Sequence, residues 1–319
     1  MKVLVISDIL EEKHRELIRE TAEKVGATLG FCENEDSVPK DFEDANIIYG
    51  QAKRLAATSR SLEWLCASFA GVDSFVKPGA FANENCILTN SAGAYGVGIS
   101  EHIIAVSLMM MRRITEFYLE TTAGEWKRPR PQKSLKDSSI VALGTGDIGC
   151  NFARRARAFE PSALYGVCRS GRCSEPAFDE VFPVGKLDEV LPKAELLVMS
   201  LPSTPETVGI LSRERINLLP DGAYVVNVGR GTAIDEDAIA DALESGKLAG
   251  AALDVFNTEP LPKESRLWHT KNLLITPHVA GNLTVAYTVQ RNVEMFCEDL
   301  LNYAAGKPLL HRVDKSLGY

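Results

Sequence analysis

The sequence contains no apolar run of the length that a membrane-spanning helix needs, which is about 18 residues. Its longest apolar stretch, Ile103–Met111, already includes Ser107 and is followed by two arginines. The segment Met1–Asp8 turns acidic too early for a secretory signal peptide and instead predicts a first strand. We therefore expect a protein without a membrane partner, located in the cytoplasm.

An excess of positive charge is also missing from the chain. Its 35 Lys and Arg residues face 43 Asp and Glu residues, which gives a formal net charge of −8. Nucleic acids and anionic membranes attract basic surfaces, so the composition argues against both as partners. The charged fraction of 24% and the hydrophobic fraction of 45% are typical of a folded globular protein.

Paired cysteines are absent as well. The chain has seven cysteines, an odd number, and none of them belongs to a CxxC pair. Secreted disulfide frameworks and zinc sites usually show even numbers or short paired spacings. We therefore expect reduced structural thiols and no metal site.

Short apolar runs alternate with amphipathic stretches in the first third of the chain. Val3–Ile6, Ile47–Tyr49 and Trp64–Ala67 predict strands, and Glu11–Val25 predicts a helix. This alternation is typical of a parallel sheet with crossover helices. Small residues at 91–98 then lead into a predicted long helix from about Ser100 to Tyr118.

A second α/β series follows the polar, proline-rich stretch 126–137. Its predicted strands are Ile140–Leu143, Leu164–Cys168, Leu196–Ser200, Tyr224–Val228, Ala249–Leu253 and Asn272–Thr276. A final amphipathic helix is predicted at roughly Thr284–Tyr303. With 319 residues, about twice a typical domain, the chain has room for two α/β lobes.

A GxGxxG motif follows the predicted strand Ile140–Leu143 directly and opens a predicted helix. In such a motif the first glycine forms a tight turn, the second admits a pyrophosphate, and the third lets the helix pack against the strand. The helix N-terminus offers backbone N–H groups to the anion. We predict that six residues bind a dinucleotide here, namely Gly144, Thr145, Gly146, Asp147, Ile148 and Gly149.

The next predicted strand indicates which dinucleotide binds. NAD sites carry an acidic residue about 20 positions past the motif, where it binds the ribose 2′-hydroxyl. This chain has Arg169 there, and no acid lies between Val167 and Arg172. Guanidinium groups and a serine hydroxyl suit a 2′-phosphate, so Arg169, Ser170 and Arg172 predict NADP(H) over NAD(H). The alternatives are use of NAD(H) and a solvated basic turn.

Three polar residues lie just beyond the ends of three predicted strands. They are Arg230, Glu259 and His278. Open parallel sheets bind ligands at the carboxyl ends of their strands, so these side chains can converge although they are distant in sequence. Any one of them alone could be an ordinary surface or turn residue. Together with the glycine motif they favour an active site.

Five motifs occur in an order and spacing that cover nearly the whole chain. They are Ser68–Asp73, Gly144–Gly149, Asn227–Gly231, Asp254–Pro260 and Pro277–Gly281. On these motifs the chain resembles the D-isomer-specific 2-hydroxyacid dehydrogenases, a family that includes glyoxylate/hydroxypyruvate reductases and phosphoglycerate dehydrogenase. The resemblance implies two flavodoxin/Rossmann-like doubly wound domains with a cleft between them, and a homodimer.

The resemblance also implies which part of the chain does what. Residues 1–98 with 285–319 are expected to form a substrate-binding domain, and residues 99–284 a dinucleotide-binding domain. The backbone N–H groups of Ala70, Gly71 and Val72 are expected to bind the substrate carboxylate. Further expected cofactor contacts are Leu201, Pro202, Thr207, Val228, Gly229, Asp254 and Gly281.

The implied reaction is hydride transfer between NADP(H) and a small 2-keto or D-2-hydroxy acid. A histidine, with a reference pKa of about 6.5, can donate the proton that the keto oxygen requires. We expect His278 to be this acid, Glu259 to orient it, and Arg230 to bind the substrate carboxylate. A carboxylate partner argues against a formate-type enzyme, in which the histidine pairs with glutamine.

Two alternatives stay open at this stage, a phosphite-type dehydrogenase on the same fold and a non-catalytic NAD(P)-sensing adaptor. Asn90–Gly93 and Tyr95 depart from the residues that many relatives carry at these positions. Because these positions border the expected pocket, the sequence leaves the side chain of the substrate open.

Overall fold

The computed structural model describes residues 1–318, which fold into two compact units. The first unit comprises Met1–Tyr95 and the chain from Asn282 onward, and the second comprises Gly96–Gly281. The boundaries predicted from sequence lie three residues further along the chain. Each unit contains a parallel β-sheet with helices, so the predicted α/β class is confirmed.

Twelve strands are found within residues 1–318, and all their pairings are parallel. In chain order they are β1 (Lys2–Ile6), β2 (Thr28–Cys32), β3 (Ile47–Gly50), β4 (Trp64–Cys66), β5 (Ile87–Thr89), β6 (Ser139–Leu143), β7 (Ala163–Cys168), β8 (Glu180–Pro183), β9 (Leu196–Met199), β10 (Ala223–Asn227), β11 (Leu248–Leu253) and β12 (Leu273–Ile275).

The α-helices of the same residues connect these strands. They are α1 (Glu12–Lys24), α2 (Lys53–Thr58), α3 (Gly96–Met111), α4 (Ile114–Thr122), α5 (Asp147–Ala156), α6 (Leu187–Val190), α7 (Arg213–Leu218), α8 (Glu236–Ser245) and α9 (Ala286–Ala304). In α8, the Asp235 side chain accepts the N–H of Ala238 at 2.9 Å, and Gly246 ends the helix with a φ of 80°. Both caps follow from the sequence pattern.

The sheet of the first unit has the strand order β2-β1-β3-β4-β5, as in flavodoxin. Side chains of β1 alternate between its two faces, as a strand requires. Val3 and Val5 pack with Ile18 of α1 and Phe296 of α9. Leu4 and Ile6 belong to the opposite face of the sheet and pack in the core cluster that includes α2. The sheet is therefore covered on both faces, which explains its almost continuous apolar strands.

The sheet of the second unit has the order β12-β11-β10-β9-β6-β7-β8. Renumbered within the unit, this is the doubly wound order 3-2-1-4-5-6 with one more strand at the edge. The order reverses between β6 and β9, where Ile140 lies opposite Leu196. The carboxyl ends of β6, β10, β11 and β12 therefore meet at the same edge, beside the switch point where such sheets bind ligands.

The structure differs from the predicted elements in one long helix, in three strands, and in the short helices α2, α6 and α7, which were not predicted. The helix expected from Ser100 to Tyr118 is broken, because Arg113 adopts a left-handed φ of 56° between α3 and α4. Within α4 no residue is buried, so no apolar face continues the packing of α3. Strands β2, β5 and β8 were not predicted. β2 contains Gly30, over which the Phe42 ring lies too closely for any side chain.

Residues 1–318 contain neither a membrane-spanning helix nor a cluster of metal ligands. Within that range no helix combines the length and the apolar character needed to cross a bilayer. No group of His, Cys, Asp and Glu in the same range is arranged to hold a metal ion.

Candidate active site

The glycine loop, Gly144–Gly149, connects β6 to the first turn of α5. Gly144 has a φ of 111°, and a Cβ on Gly149 would lie 1.9 Å from the Gly144 carbonyl oxygen. Neither position can carry a side chain without moving the backbone. A Cβ on Gly146 would meet no atom within 4 Å, so the space beside the second glycine is open. This is the arrangement that a pyrophosphate requires.

The side chain of Asp147 is held within the second unit. Its Oδ2 accepts the N–H of Gly96 at 2.8 Å, and its Oδ1 accepts the amide of Asn151 at 2.8 Å. The carboxylate thereby satisfies a donor at the start of α3. What Asp147 and Ile148 can offer to an anion is their backbone N–H groups, which have no partner within the helix.

The loop after β7 exposes Arg169, Ser170 and Arg172. Ser170 Oγ accepts the N–H of Arg172 at 3.3 Å, which folds the loop back on itself. The pKa of Glu206 is lowered, chiefly by a hydrogen bond from Thr204 and also by the charge of Arg169. Arg169 is therefore close to the loop after β9, and two predicted cofactor-binding segments are brought together.

The loop after β9 contains Leu201, Pro202 and Thr207. The Thr207 hydroxyl donates to the Pro202 carbonyl at 2.7 Å and accepts the N–H of Thr204 at 2.8 Å. This side chain therefore fixes the shape of its own loop. Contact of these three residues with a cofactor stays a prediction.

The segment that positions Arg230 follows β10. Asn227 is fully buried, and its side chain accepts the N–H of Gly229 at 3.1 Å and donates to the Arg230 carbonyl at 3.0 Å. A Cβ on Gly229 would lie 2.6 Å from the backbone of Leu201. Sequence reasoning did not single out Asn227. The available signal was an amide side chain that ends an otherwise apolar strand.

Asp254, directly after β11, is only 2% exposed. Its carboxylate accepts the Thr276 hydroxyl at 2.6 Å, the N–H of Val279 at 2.9 Å and the N–H of Ala280 at 3.0 Å. Three donors offset the cost of burying the charge. Asp254 thus anchors the turn that carries His278.

His278 itself has a left-handed backbone, with a φ of 53°. Left-handed geometry costs a residue other than glycine roughly 1–2 kcal/mol. The His278 N–H donates to the carbonyls of Asp254 at 2.8 Å and Thr276 at 3.0 Å, and these bonds hold the strained turn in place. Strain that the surroundings maintain in this way is common where a side chain must be aimed.

Glu259 links the β11 loop to the imidazole. Its Oε2 accepts His278 Nδ1 at 2.7 Å, and its Oε1 accepts the N–H of Phe256 at 2.9 Å. The side chains of His278 and Glu259 are 48% and 35% exposed, so a small molecule can reach them. Because Nδ1 is occupied, Nε2 is the ring nitrogen that can face a ligand.

Behind this turn lies a further histidine, His102 of α3. Its Nε2 is 3.4 Å from the Thr276 hydroxyl. Burial lowers the pKa of His102, although the charge of Asp254 opposes this effect. His102 is therefore neutral at pH 7 and belongs to the support of the His278 turn.

The predicted substrate loop, Ala70–Val72, belongs to the first unit. The Ser68 carbonyl before it accepts Tyr95 Oη and Asn292 Nδ2, both at 2.7 Å, and Asn90 Nδ2 donates to the first carbonyl of the loop at 2.7 Å. Among the hydrogen bonds of residues 1–318, none has a backbone N–H of this loop as its donor. The loop is thus rigidly held and carries available donors, and its substrate role stays a prediction.

Comparison with known proteins agrees with this architecture. Residues 104–280, more than half of the chain, match the family model "D-isomer specific 2-hydroxyacid dehydrogenase, NAD binding domain". An uncharacterised protein from the proB 3′ region of Corynebacterium melassecola is 35% identical over 293 residues, which are 88% of this chain and 92% of that protein.

Solved structures show the same likeness over almost the full length. A D-isomer specific 2-hydroxyacid dehydrogenase family protein from Aeromonas salmonicida is 31% identical, with a TM-score of 0.85 and coverage of 98% of this chain and 99% of that one. An NADPH-dependent glyoxylate/hydroxypyruvate reductase from Sinorhizobium meliloti, solved with NADP and sulfate, is 26% identical, with a TM-score of 0.82 and coverage of 100% and 99%.

The chain therefore belongs to the D-isomer specific 2-hydroxyacid dehydrogenase family. Members are NAD(P)-dependent oxidoreductases that act on CH–OH groups, so the predicted enzyme class is confirmed. The doubly wound order of both sheets agrees with this assignment.

Proposed function

We propose that this enzyme reduces a small 2-keto acid to the D-2-hydroxy acid with NADPH, and catalyses the reverse reaction with NADP. The observation that carries the proposal is the 2.7 Å hydrogen bond between His278 and Glu259, at the sheet edge that also carries the glycine loop. A substrate that lies beside a bound dinucleotide needs a proton donor at this edge of the sheet, and His278 is held there.

The bound nicotinamide supplies the hydride that reduces the keto carbon. His278 donates its Nε2 proton to the keto oxygen, and takes it back when a hydroxy acid is oxidised. Glu259 fixes the ring orientation and accepts from Nδ1 in both directions. Its second oxygen is held by the Phe256 N–H, so the carboxylate does not need to rearrange during turnover.

Arg230 binds the substrate carboxylate and polarises the keto oxygen. A guanidinium stays charged at any working pH and matches a carboxylate with two parallel hydrogen bonds. The buried Asn227 fixes the backbone on both sides of Arg230, so the guanidinium starts from a defined position. Preorganised donors of this kind contribute most of the electrostatic stabilisation in comparable reactions.

The second unit has residues that fit the dinucleotide. The open space at Gly146 and the first turn of α5 suit the pyrophosphate, and the segments around Thr207 and Val228 line the same sheet edge. A carboxylate can accept about four hydrogen bonds, and Asp254 already accepts three. One acceptor position is therefore left for the nicotinamide amide. The small Gly281 after the His278 turn is the last proposed contact.

NADP(H) is the proposed cofactor because the segment Arg169–Arg172, directly after β7, presents two arginines and a serine, and no acid. The relative from Sinorhizobium meliloti, which is NADPH-dependent, supports this assignment. Glyoxylate and hydroxypyruvate are the first substrates to test, since that relative is a reductase of both.

The test is steady-state kinetics of the purified enzyme with glyoxylate, hydroxypyruvate, pyruvate and branched 2-keto acids, each with NADPH and NADH. We expect turnover with at least one acid and a clear preference for NADPH. Arg169→Ala should raise the KM for NADPH about tenfold or more, since it removes a charged hydrogen bond, and leave the KM for NADH nearly unchanged.

Three results would contradict the proposal. Equal use of both cofactors by the wild type would remove the role of Arg169. Tight NADPH binding without turnover of any acid would favour the non-catalytic adaptor, and reduction of NADP by phosphite would favour a phosphite-type dehydrogenase.

We further propose a homodimer, formed through the surface of α4 and the segment after it. Tyr118 and Leu119 are 65% and 66% exposed, and Trp126 is 98% exposed. Large apolar side chains that are exposed this close together in the sequence are typical of a protein contact. Sedimentation velocity should give a dimer for the wild type and a monomer for Leu119→Lys/Trp126→Glu. A monomeric wild type would contradict the assignment.

A further inference from the structure

Three of the seven cysteines surround one residue of the glycine loop, Thr145. Cys150 Sγ donates to the Thr145 carbonyl at 3.2 Å, and Cys173 Sγ lies 3.7 Å from the same oxygen. The two sulfur atoms are 3.6 Å apart. Cys168, the last residue of β7, is the third member and contacts the Ser170 hydroxyl. The reaction described above uses none of these thiols.

We propose that Cys150 and Cys173 form a reversible disulfide that responds to peroxide and weakens the binding of NADP(H). The effect on NADP(H) rests on the proposed function, whereas the bond itself does not. The pair joins α5, which begins the dinucleotide site, to the loop that carries Arg169 and Arg172.

The geometry of the pair requires little movement. A disulfide is about 2.05 Å long, so the sulfur atoms must approach by roughly 1.5 Å, a distance that side-chain rotation can supply. Both thiols are partly exposed, so a small oxidant can reach them. Within residues 1–318, no other two cysteine sulfur atoms lie within hydrogen-bond distance of each other. Cys66, Cys86 and Cys297 are buried.

The two thiols have different roles in the oxidation. Burial, and next the neighbouring Cys173, raise the pKa of the Cys150 thiol, which keeps it protonated at neutral pH. Cys173 Sγ accepts the N–H of Glu175 at 3.4 Å, and we assign this sulfur as the attacking nucleophile. Partial burial raises the pKa of Cys168, but hydrogen bonds with Thr145, Ser170 and the loop backbone outweigh it and lower the pKa. Cys168 is thus a third thiol that can compete for the oxidant.

The chemistry balances with hydrogen peroxide as the oxidant. The Cys173 thiolate attacks one peroxide oxygen, the O–O bond breaks, and a sulfenic acid and hydroxide form. The Cys150 sulfur then attacks the Cys173 sulfur and displaces the sulfenic oxygen, which leaves as water with the Cys150 proton. Hydroxide takes the proton that Cys173 released. Two thiols are oxidised, and one peroxide is reduced to two waters.

The bond acts on the cofactor site through the loop after β7. Cys173 directly follows Arg172, and its sulfur accepts the N–H of Glu175 at 3.4 Å. Glu175 in turn forms an ion pair with Arg154 at 2.6 Å, which ties the loop to α5. Glu175 holds the part of the loop that follows Cys173 against α5. Movement of Cys173 toward Cys150 therefore displaces Arg172, which precedes Cys173, and leaves α5 in place. A displaced guanidinium weakens contact with the 2′-phosphate.

The experiment begins with the intact enzyme and millimolar hydrogen peroxide at neutral pH. Remaining thiols are alkylated, and peptides from a non-reducing digest are analysed by mass spectrometry. We expect a linked peptide pair that contains Cys150 and Cys173, has lost two hydrogen atoms, and is released by dithiothreitol. Free thiols at both positions, or a dominant Cys168–Cys173 link, would overturn the proposed pair whatever the enzyme's activity.

Single variants separate the pair from its neighbours. Cys150→Ser and Cys173→Ser should abolish the linked peptide, and in Cys150→Ser the Cys173 thiol should advance to sulfinic acid. Cys32→Ser is the matched control, since Cys32 is also partly exposed but belongs to the first unit. Retention of the linked peptide in Cys168→Ser supports Cys173 as the attacking thiol, and its loss would overturn that assignment.

Cofactor titration tests the consequence. Oxidation of the wild type should raise the dissociation constant of NADPH about tenfold, the effect of losing one charged hydrogen bond, and should leave that of NADH within twofold. Reduction should restore both values, and neither serine variant of the pair should respond. A linked peptide with unchanged NADPH affinity would overturn the coupling between the bond and the 2′-phosphate site.

Discussion

Replacing Glu259 with glutamine tests how the imidazole of His278 is held. The carboxylate accepts two hydrogen bonds, from His278 Nδ1 at 2.7 Å and from the Phe256 N–H at 2.9 Å. An amide has one acceptor and one donor end, so it can accept a hydrogen bond from only one of these two donors. If its oxygen faces Phe256, its NH₂ group meets Nδ1. If its oxygen faces His278, two donors face each other at Phe256.

The size of the effect follows from the charge and the exposure of the pair. A hydrogen bond to a charged group contributes about 1.5–3 kcal/mol. The two side chains are 48% and 35% exposed, and solvent screening argues for the lower part of that range. A loss of about 1.5–2 kcal/mol in the transition state corresponds to a kcat reduced roughly tenfold to thirtyfold.

The assay is NADPH-dependent reduction of the best keto acid by the wild type, Glu259→Gln and Glu264→Gln. Glu264 is the matched control, because it is an exposed glutamate in the same loop. We expect Glu259→Gln to keep wild-type NADPH affinity and melting temperature, and Glu264→Gln to keep full kcat. A wild-type kcat in Glu259→Gln would refute the proposed orienting role.

Two further predictions concern stability and the glycine loop. Burial alone would raise the pKa of Asp299, but hydrogen bonds from His311 and the backbone outweigh burial and lower the pKa. The ionised Asp299 therefore stabilises the fold fully above about pH 4, and this stabilisation fades as the pH falls through the lowered pKa. Asp299→Asn should cost about 2 kcal/mol in urea unfolding at pH 7 and less than that at pH 2, and equal losses at both would contradict this. Gly149→Ala should lower both melting temperature and NADPH affinity, because its Cβ would lie 1.9 Å from the Gly144 carbonyl. Gly146→Ala, whose Cβ meets nothing within 4 Å, should lower only NADPH affinity, and similar melting temperatures for the two variants would contradict the packing.

Patterns that are local in the chain were predictable. The glycine loop follows its strand and opens its helix, and both features are set by neighbouring residues. Arg230 and His278 follow apolar strands, and the parallel order of those strands brings their ends to one edge. A strand can be recognised from a few consecutive residues, so the candidate site could be placed without coordinates.

The supporting contacts were not predictable, because they depend on distant neighbours. Asp254 and Thr276 are 22 positions apart, and only the pairing of β11 with β12 brings them together. The role of Asn227 was not predictable for the same reason, because that role consists of the hydrogen bonds that its side chain forms with backbone groups. The sulfur pair is another case, because Cys150 and Cys173 are 23 positions apart.

The break between α3 and α4 shows a different limit. The run before Arg112 is so apolar that the sequence predicted one continuous helix. Whether the helix continues depends on what its next turn packs against, and none of the residues 114–122 is buried. Arg113 instead takes a left-handed backbone and pairs with Glu116 at 2.9 Å.

The most direct measurement compares His278→Ala with the wild type in single-turnover reduction of a keto acid by NADPH, followed at the absorbance band of the reduced nicotinamide. Removing a general acid should slow the chemical step roughly 10²- to 10⁴-fold, while the dissociation constant of NADPH, measured by fluorescence, stays within about twofold. An unchanged rate in this variant would show that the proton comes from elsewhere and that the proposed site is wrong.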